Sequence, residues 1–404
     1  MSTTAYSIVK TAGLALAGSF LFLTPKLSAQ ETGKSRFELS GQAMTDAGYN
    51  FNQENPDYFD VMRPTKLPSY KNEFGSNGNV FFGVRQSSFH AKSFVPTPQG
   101  ELFIHFAFDL FGSGTNAGET AFHLLYAWAE LGEVGAGRNW SLFTDADVSP
   151  DGIEYWGPAG LALCKTVQFR YVPFEGSNRL AFALEQPGAS ADEGLYADRI
   201  ELSDVKARFN LPDLTAEFRL TRNWGYLELA SVVRKIEWID LGNEAYDLSG
   251  KAWGWGFNLS SALELGPNDR LLVSGIGGKG IQNQMNDAPT DIGIKNNFAN
   301  LNRPVKGVAL PLYSYTCYLQ HHWSRQWRSS AGWSAIHTRN ANGQSADAFR
   351  NGYYASANLI YNPVPFIEAG LQWIWVKREN YNDGWSSSAN KIQFSLKYRF
   401  ERVF

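Results

Sequence analysis

Residues 390–404 alternate in character. Ile392, Phe394, Leu396, Tyr398 and Phe400 fall on one face of an extended segment, and Lys391, Gln393, Ser395, Lys397 and Arg399 on the other. Side chains of a β-strand point to opposite faces with a period of two. This segment therefore has one wholly apolar face and one strongly polar face, and Phe404 ends the chain in the apolar phase.

The same logic recurs upstream. Ala369, Leu371, Trp373 and Trp375 alternate with Glu368, Gly370 and Gln372. Ala355, Ala357, Leu359 and Tyr361 alternate with Tyr354, Ser356 and Asn358. Trp253, Trp255, Phe257 and Leu259 alternate with Gly254, Gly256, Asn258 and Ser260, and Leu102, Ile104, Phe106, Phe108 and Leu110 with Phe103, His105, Ala107 and Asp109. In a soluble barrel the inward positions would be apolar. Here one set is small or polar, which suits a wet interior and a lipid-facing exterior.

Connections alternate in length as well. Thr97-Pro98-Gln99-Gly100, Gly176-Ser177-Asn178, Gly266-Pro267-Asn268-Asp269 and Ser324-Arg325-Gln326 are short, while 52–79, 144–160 and 282–311 are long. Short turns on one side and long loops on the other are the arrangement of a transmembrane barrel. Strand starts fall near Phe37, Val80, Glu101, Thr120, Val134, Leu161, Arg179, Leu214, Tyr226, Lys251, Arg270, Leu312, Trp327, Gly352, Pro365 and Ala389. The expectation is an all-β fold, a transmembrane antiparallel β-barrel of 16 strands with short periplasmic turns and long extracellular loops. Fourteen or eighteen strands fit if boundaries slip. Sixteen strands leave an aqueous channel.

Composition sharpens this. Aromatic residues make up 15% of the 404, with 13 Trp, 18 Tyr and 28 Phe, as aromatic girdles require. Residues 1–29 read as a signal peptide: Lys10, an apolar stretch over 11–23, then small residues, with cleavage after Ala29 or Gln30. Residues 30–404 form the barrel domain. The formal charge of −3 argues against a nucleic-acid partner. Cys164 and Cys317 lie far apart, and a disulfide between them is left open. No cofactor or metal is expected, because His321 and His322 are adjacent and a strand points them apart. His90, His105, His123 and His337 are scattered, and Gly275-Ile276-Gly277-Gly278-Lys279-Gly280 lacks phosphate-loop spacing, so no enzyme is expected.

The third long loop holds Asp145, Asp147, Asp151, Glu154 and Trp156. Folded inward, it would set four carboxylates across the lumen from basic wall residues, and rings of charge set ion preference in channels. Arg138 leads straight into the loop. Arg170 and Arg219 lie opposite the lipid phase of their strands, and Arg234 sits on a strand that alternates poorly. Arg63 and Lys66 lie in the first long loop, stiffened by Pro64 and Pro68. Arg85 shares a phase with Phe89 and is expected outward or subunit-facing unless a bulge intervenes.

Three segments resemble the DcaP-like family of trimeric outer-membrane porins: Tyr58-Phe59-Asp60-Val61-Met62-Arg63-Pro64-Thr65-Lys66-Leu67-Pro68, Glu154-Tyr155-Trp156-Gly157-Pro158 and Ser356-Ala357-Asn358-Leu359-Ile360-Tyr361-Asn362-Pro363. The resemblance runs from about Phe37 to the C-terminus. It implies a homotrimer of sixteen-stranded barrels in the outer membrane of a Gram-negative bacterium, passing small hydrophilic or anionic solutes, dicarboxylates foremost. The final aromatic resembles the signal read by the outer-membrane assembly machinery. Gly137-Arg138-Asn139 and Gln168-Phe169-Arg170 are similar to general-porin positions of the basic wall. Two departures weaken the likeness: the long helical N-terminal extension of some members is missing, and Ser88, His123 and Leu125 stand where the family pattern has arginines. Two other readings stay open. One is a carbohydrate-selective porin with Trp140 and Trp156 stacking on sugars; the other is a non-conducting barrel acting as an adhesin or structural anchor.

Overall fold

A computed structural model describes residues 33–188 and 200–404; the expected signal peptide lies outside them. Sixteen strands form one closed antiparallel barrel. In chain order they are β1 (Arg36–Asn50), β2 (Ser88–Thr97), β3 (Gly100–Phe111), β4 (Thr120–Leu131), β5 (Val134–Trp140), β6 (Lys165–Phe174), β7 (Asn178–Glu185) and β8 (Asp213–Arg222). The second half comprises β9 (Gly225–Asp240), β10 (Gly250–Glu264), β11 (Asp269–Lys279), β12 (Pro311–His322), β13 (Trp327–Thr338), β14 (Phe349–Val364), β15 (Ile367–Asn380) and β16 (Ser386–Val403). The sixth strand begins at Lys165 rather than near Leu161.

The last strand closes the barrel on the first, from Glu38 opposite Val403 to Asn50 opposite Lys391. At the seam the Phe37 amide donates to the Phe404 carbonyl at 3.2 Å, and Phe404 returns the bond at 2.8 Å. Closure leaves no open edge, the condition a sheet must meet in lipid. The outward face follows the sequence phase: Ile392, Phe394, Phe400, Leu371, Trp373, Trp253 and Phe257 are exposed, whereas Lys391, Gln393, Ser395, Gln372 and Asn258 are buried.

Two features depart from simple alternation. The strand expected to run on from Val80 is split. Asn79–Gly83 pairs with the upper part of β1, β2 pairs with its lower part, and residues 84–87 form a break. The break cancels the parity between Arg85 and Phe89. Arg85 turns inward, is 2% exposed, and ion-pairs with Asp60 while its guanidinium lies 4.0 Å over the Phe111 ring.

The lumen is also less wet than its sequence pattern implies. Ile276, Ile336, Ile374 and Val376 point inward and are buried. They form one apolar cluster with Met62 and Leu67 of the first loop, Phe143 of the third, and Ile281 and Met285 of the loop at 280–310. Apolar inward positions mark where loops fold back onto the wall. Cys164 and Cys317 are not joined by a disulfide; the first is buried and the second lies on the outer surface.

Candidate pore constriction

The loop at 141–164 follows the fifth strand and crosses the lumen. Each of its four carboxylates is used. Asp145 accepts from Arg219 at 2.9 Å, from the Tyr226 hydroxyl at 2.7 Å and from Ser260 at 2.6 Å. Asp147 accepts from the same arginine at 2.6 Å, and Glu228 takes its Nε at 2.7 Å. Asp151 accepts from Arg328 at 2.9 Å. Glu154 accepts from the backbone N–H of Met62 and of Gly157, both at 2.6 Å, and lies 3.6 Å from Lys391. Burial pushes the Glu154 carboxyl up from the usual carboxylate range, while Lys391 and the two N–H groups pull it back.

Backbone contacts complete the fastening. Ile153 donates to Gln372 at 2.8 Å, and its carbonyl accepts from Gln86 at 2.8 Å and Gln393 at 3.1 Å. The Gly160 carbonyl accepts from Ser314 at 2.8 Å. A Cβ on Gly160 would sit 2.7 Å from the Tyr315 carbonyl and 2.9 Å from that of Ala335. Glycine is needed there because the loop lies directly on the wall.

The first loop and the loop at 280–310 lock onto this crossing. Arg63 is 4% exposed and pairs with Asp287 at 2.9 Å. Its guanidinium stacks 4.0 Å above Trp156 and 4.7 Å above Tyr58. Trp156 donates its indole N–H to Asn286 O at 2.8 Å. Lys66 lies 5.2 Å over the Tyr58 ring, and Lys391 donates to Asp60 O at 2.7 Å.

Beside the crossing loop lies a cavity of about 390 Å³. Strand residues Asp109, His123, Leu125, Arg138, Trp140 and Lys165 line it on one wall, the crossing loop lines it over 149–158, and Tyr354, Ser356 and Gln372 reach it from β14 and β15. Arg138 reaches this wall through a backbone device. Val134 faces outward, but Gly137 at φ 117° breaks the alternation, and a Cβ there would meet the Ala127 carbonyl at 2.0 Å. After the break Arg138 points inward, donating to Leu124 O at 2.9 Å and Lys165 O at 3.0 Å. Lys165 lies 3.5 Å over the Trp140 ring. Tyr155 stacks on Phe111 at 3.8 Å and donates to Asp109 at 2.7 Å, and the other Asp109 oxygen meets His123 at 3.0 Å.

The sequence candidates thus separate into groups. Arg138 and Trp156 line the cavity, with Asp151 and Glu154 on the same loop wall. Arg219 meets Asp145 and Asp147 directly instead of facing them across the lumen. Arg170 points inward, bonded to Gln168 at 3.1 Å and 5.1 Å over Trp128, but does not line the cavity. Arg234 is buried between Asp213 and Asp291, at 3.1 and 3.2 Å, and ties the loop at 280–310 to the wall. Arg63 and Lys66 belong to the junction of loops. Sequence reasoning missed Lys165, Arg328 and Lys391 as site residues. Lys391 stood on the inward phase of the last strand and could have been found there. Lys165 shares parity with the lipid-facing Val167 and Phe169, so no local signal marks it. Among the described residues no cluster of three or more His, Cys, Asp or Glu is arranged to hold a metal.

A closed sixteen-stranded barrel with a loop folded across its lumen is the architecture of an outer-membrane porin. The family model of the DcaP outer membrane protein matches residues 26–400, and the chain belongs to that family. It is a protein of the Gram-negative outer membrane. The outer membrane channel DcaP of Acinetobacter baumannii superposes with a TM-score of 0.73 at 17% identity, covering 92% of this chain and 100% of that one. The anion-selective porin from Comamonas acidovorans gives 0.58 at 11%, covering 91% and 100%. A loop-deleted form of OmpT from Vibrio cholerae gives 0.54 at 12%, covering 91% and 100%. At these identities the likeness is one of fold. No curated protein matches the sequence.

Proposed function

We propose that this porin passes small anions, dicarboxylates among them, by diffusion through the cavity beside β3–β6. The observation that carries the reading is how the crossing loop uses its acids. Asp145 and Asp147 are bound by Arg219, Asp151 by Arg328, and Glu154 by Lys391. Their field is reduced by their own partners, while the strand wall of the cavity brings two cationic side chains, Arg138 and Lys165, to the path beside Asp109. The sugar reading is weaker, because the aromatic faces already carry cations. Arg63 covers Trp156 and Lys165 covers Trp140. The homotrimer belongs to the same proposal. Outward rings of Phe89, Phe108, Phe122 and Phe400 run contiguously across β2–β4 and the closing strand, an apolar face suited to a second copy.

Planar-bilayer recording under a KCl gradient tests the charge assignment. The wild-type reversal potential should take the sign of anion preference, and Arg138→Ala with Lys165→Ala should move it toward zero. Cation preference in the wild type, or an unchanged potential in the double variant, would sink the assignment.

A further inference from the structure

The outer surface carries a second charged feature that permeation does not use. On the outward parity of β9, β10 and β11 a lysine stands at or near the extracellular end, with Glu237 and Ile239 beyond it on β9. Val233 is followed by Lys235, Trp253 is preceded by Lys251, and Lys279 stands two positions beyond Gly277. The strand pairings set these residues side by side: Lys235 opposite Trp253, Glu237 opposite Lys251, and Trp255 opposite Lys279. The short strand Val205–Arg208 adds Arg208 opposite Glu237 and Lys206 opposite Ile239. A groove of about 440 Å³ opens beside them, lined by Glu237, Lys251, Arg303 and Lys306.

The acids of this patch are already engaged. Glu237 is bound by Lys235 at 2.6 Å and lies 3.9 Å from Arg208, and Asp247 pairs with Arg303. Lys251, Lys279 and Lys306 form no ion pair among the described residues. Directly below lies an apolar band of Trp253, Trp255, Phe257 and Leu259, each about half exposed. Cations above an acyl-chain surface fit an amphiphile with an anionic head, since lysine is tolerated at the membrane boundary and not at its middle, and basic clusters at that boundary recognise anionic lipid heads.

We propose that this rim is a binding site for a phosphorylated lipid of the outer leaflet. Lys251, Lys279, Arg208 and Lys306 hold its phosphate groups, and the tryptophan band holds its acyl chains. The site is separate from the pore, so its failure would leave the proposed permeation untouched.

The test uses full-length protein in nanodiscs and native mass spectrometry, with bisphosphorylated lipid A, its dephosphorylated form and inorganic phosphate as probes. The wild type should retain the bisphosphorylated lipid about tenfold better than the dephosphorylated one. Arg208→Glu with Lys251→Glu and Lys279→Glu should abolish that preference while conductance stays at the wild-type value. Arg402→Glu, at the other end of the barrel, should leave binding unchanged. Equal retention of both lipids, full competition by inorganic phosphate, or wild-type binding by the triple variant would each overturn the site. Should the triple variant fail to fold, Lys251→Gln alone should still weaken retention, and unchanged retention there would also overturn it.

Discussion

Single residues decide where the charges of the lumen point. Arg138 faces the cavity because Gly137 takes φ 117°, a region that side chains with a Cβ rarely enter. Gly137→Ala should cost about 1–3 kcal/mol of backbone strain. Its thermal conversion from folded to unfolded band on a gel should fall below that of wild type, and its anion preference should weaken as Arg138 shifts. Wild-type behaviour in both assays would show that the break is incidental. Arg170 was legible as inward-facing because Val167, Phe169 and Tyr171 set the lipid phase on either side. Lys165 was not, because the first residue of its strand turns in at the foot of a loop and its parity misleads. Arg85 misled for a related reason: the break at 84–87 is invisible to a pattern that counts by twos.

Among the elements, the three inward loops hold one another. Glu154 and Lys391 are fully buried beneath them, and removing one member of such a pair typically costs about 3–5 kcal/mol because the other charge is left unpaired. Lys391→Met should therefore destabilise the barrel and add open-channel noise, and Glu154→Gln in the same chain should restore part of the loss. A double variant no better than the single one would show that the two side chains act independently. Such pairings are beyond sequence pattern. Arg219 and Asp145 are 74 positions apart, and nothing local says whether an arginine faces an aspartate across a channel or grips it. The existence of the third loop, its place after the fifth strand and its acidity were all readable; the use of its acids was not.

The first loop adds a pH-sensitive fastening. Desolvation raises the Glu54 carboxyl to about 7, against the pull of Lys391 and Asn79. A carboxyl that binds its proton more tightly in the folded loop than in a free one favours the docked loop at low pH. That preference is present below the ordinary carboxylate range and is lost as pH rises through about 7. Limited proteolysis of the first loop should accelerate between mildly acidic and mildly alkaline pH, and Glu54→Gln should flatten the dependence. A rate independent of pH in the wild type would rule Glu54 out as its source.

At the scale of the whole molecule, barrel and loops play different parts. Sixteen strands would enclose a wide channel, and alternation along each strand made that barrel readable from the sequence. The loops then fold into it. Ile276, Ile336, Ile374 and Val376 pack with Met62, Phe143 and Met285, and a cavity of about 390 Å³ stays open along the crossing loop, walled by β3–β6 and reached by Tyr354, Ser356 and Gln372. The account therefore places permeation along the crossing loop, past the wall that carries Arg138 and Lys165. Leu125 lines that cavity. The single-channel conductance of Leu125→Trp is the most direct test, since an indole there obstructs this route and no other. The account predicts a fall of about half or more; a conductance equal to the wild-type value would contradict it.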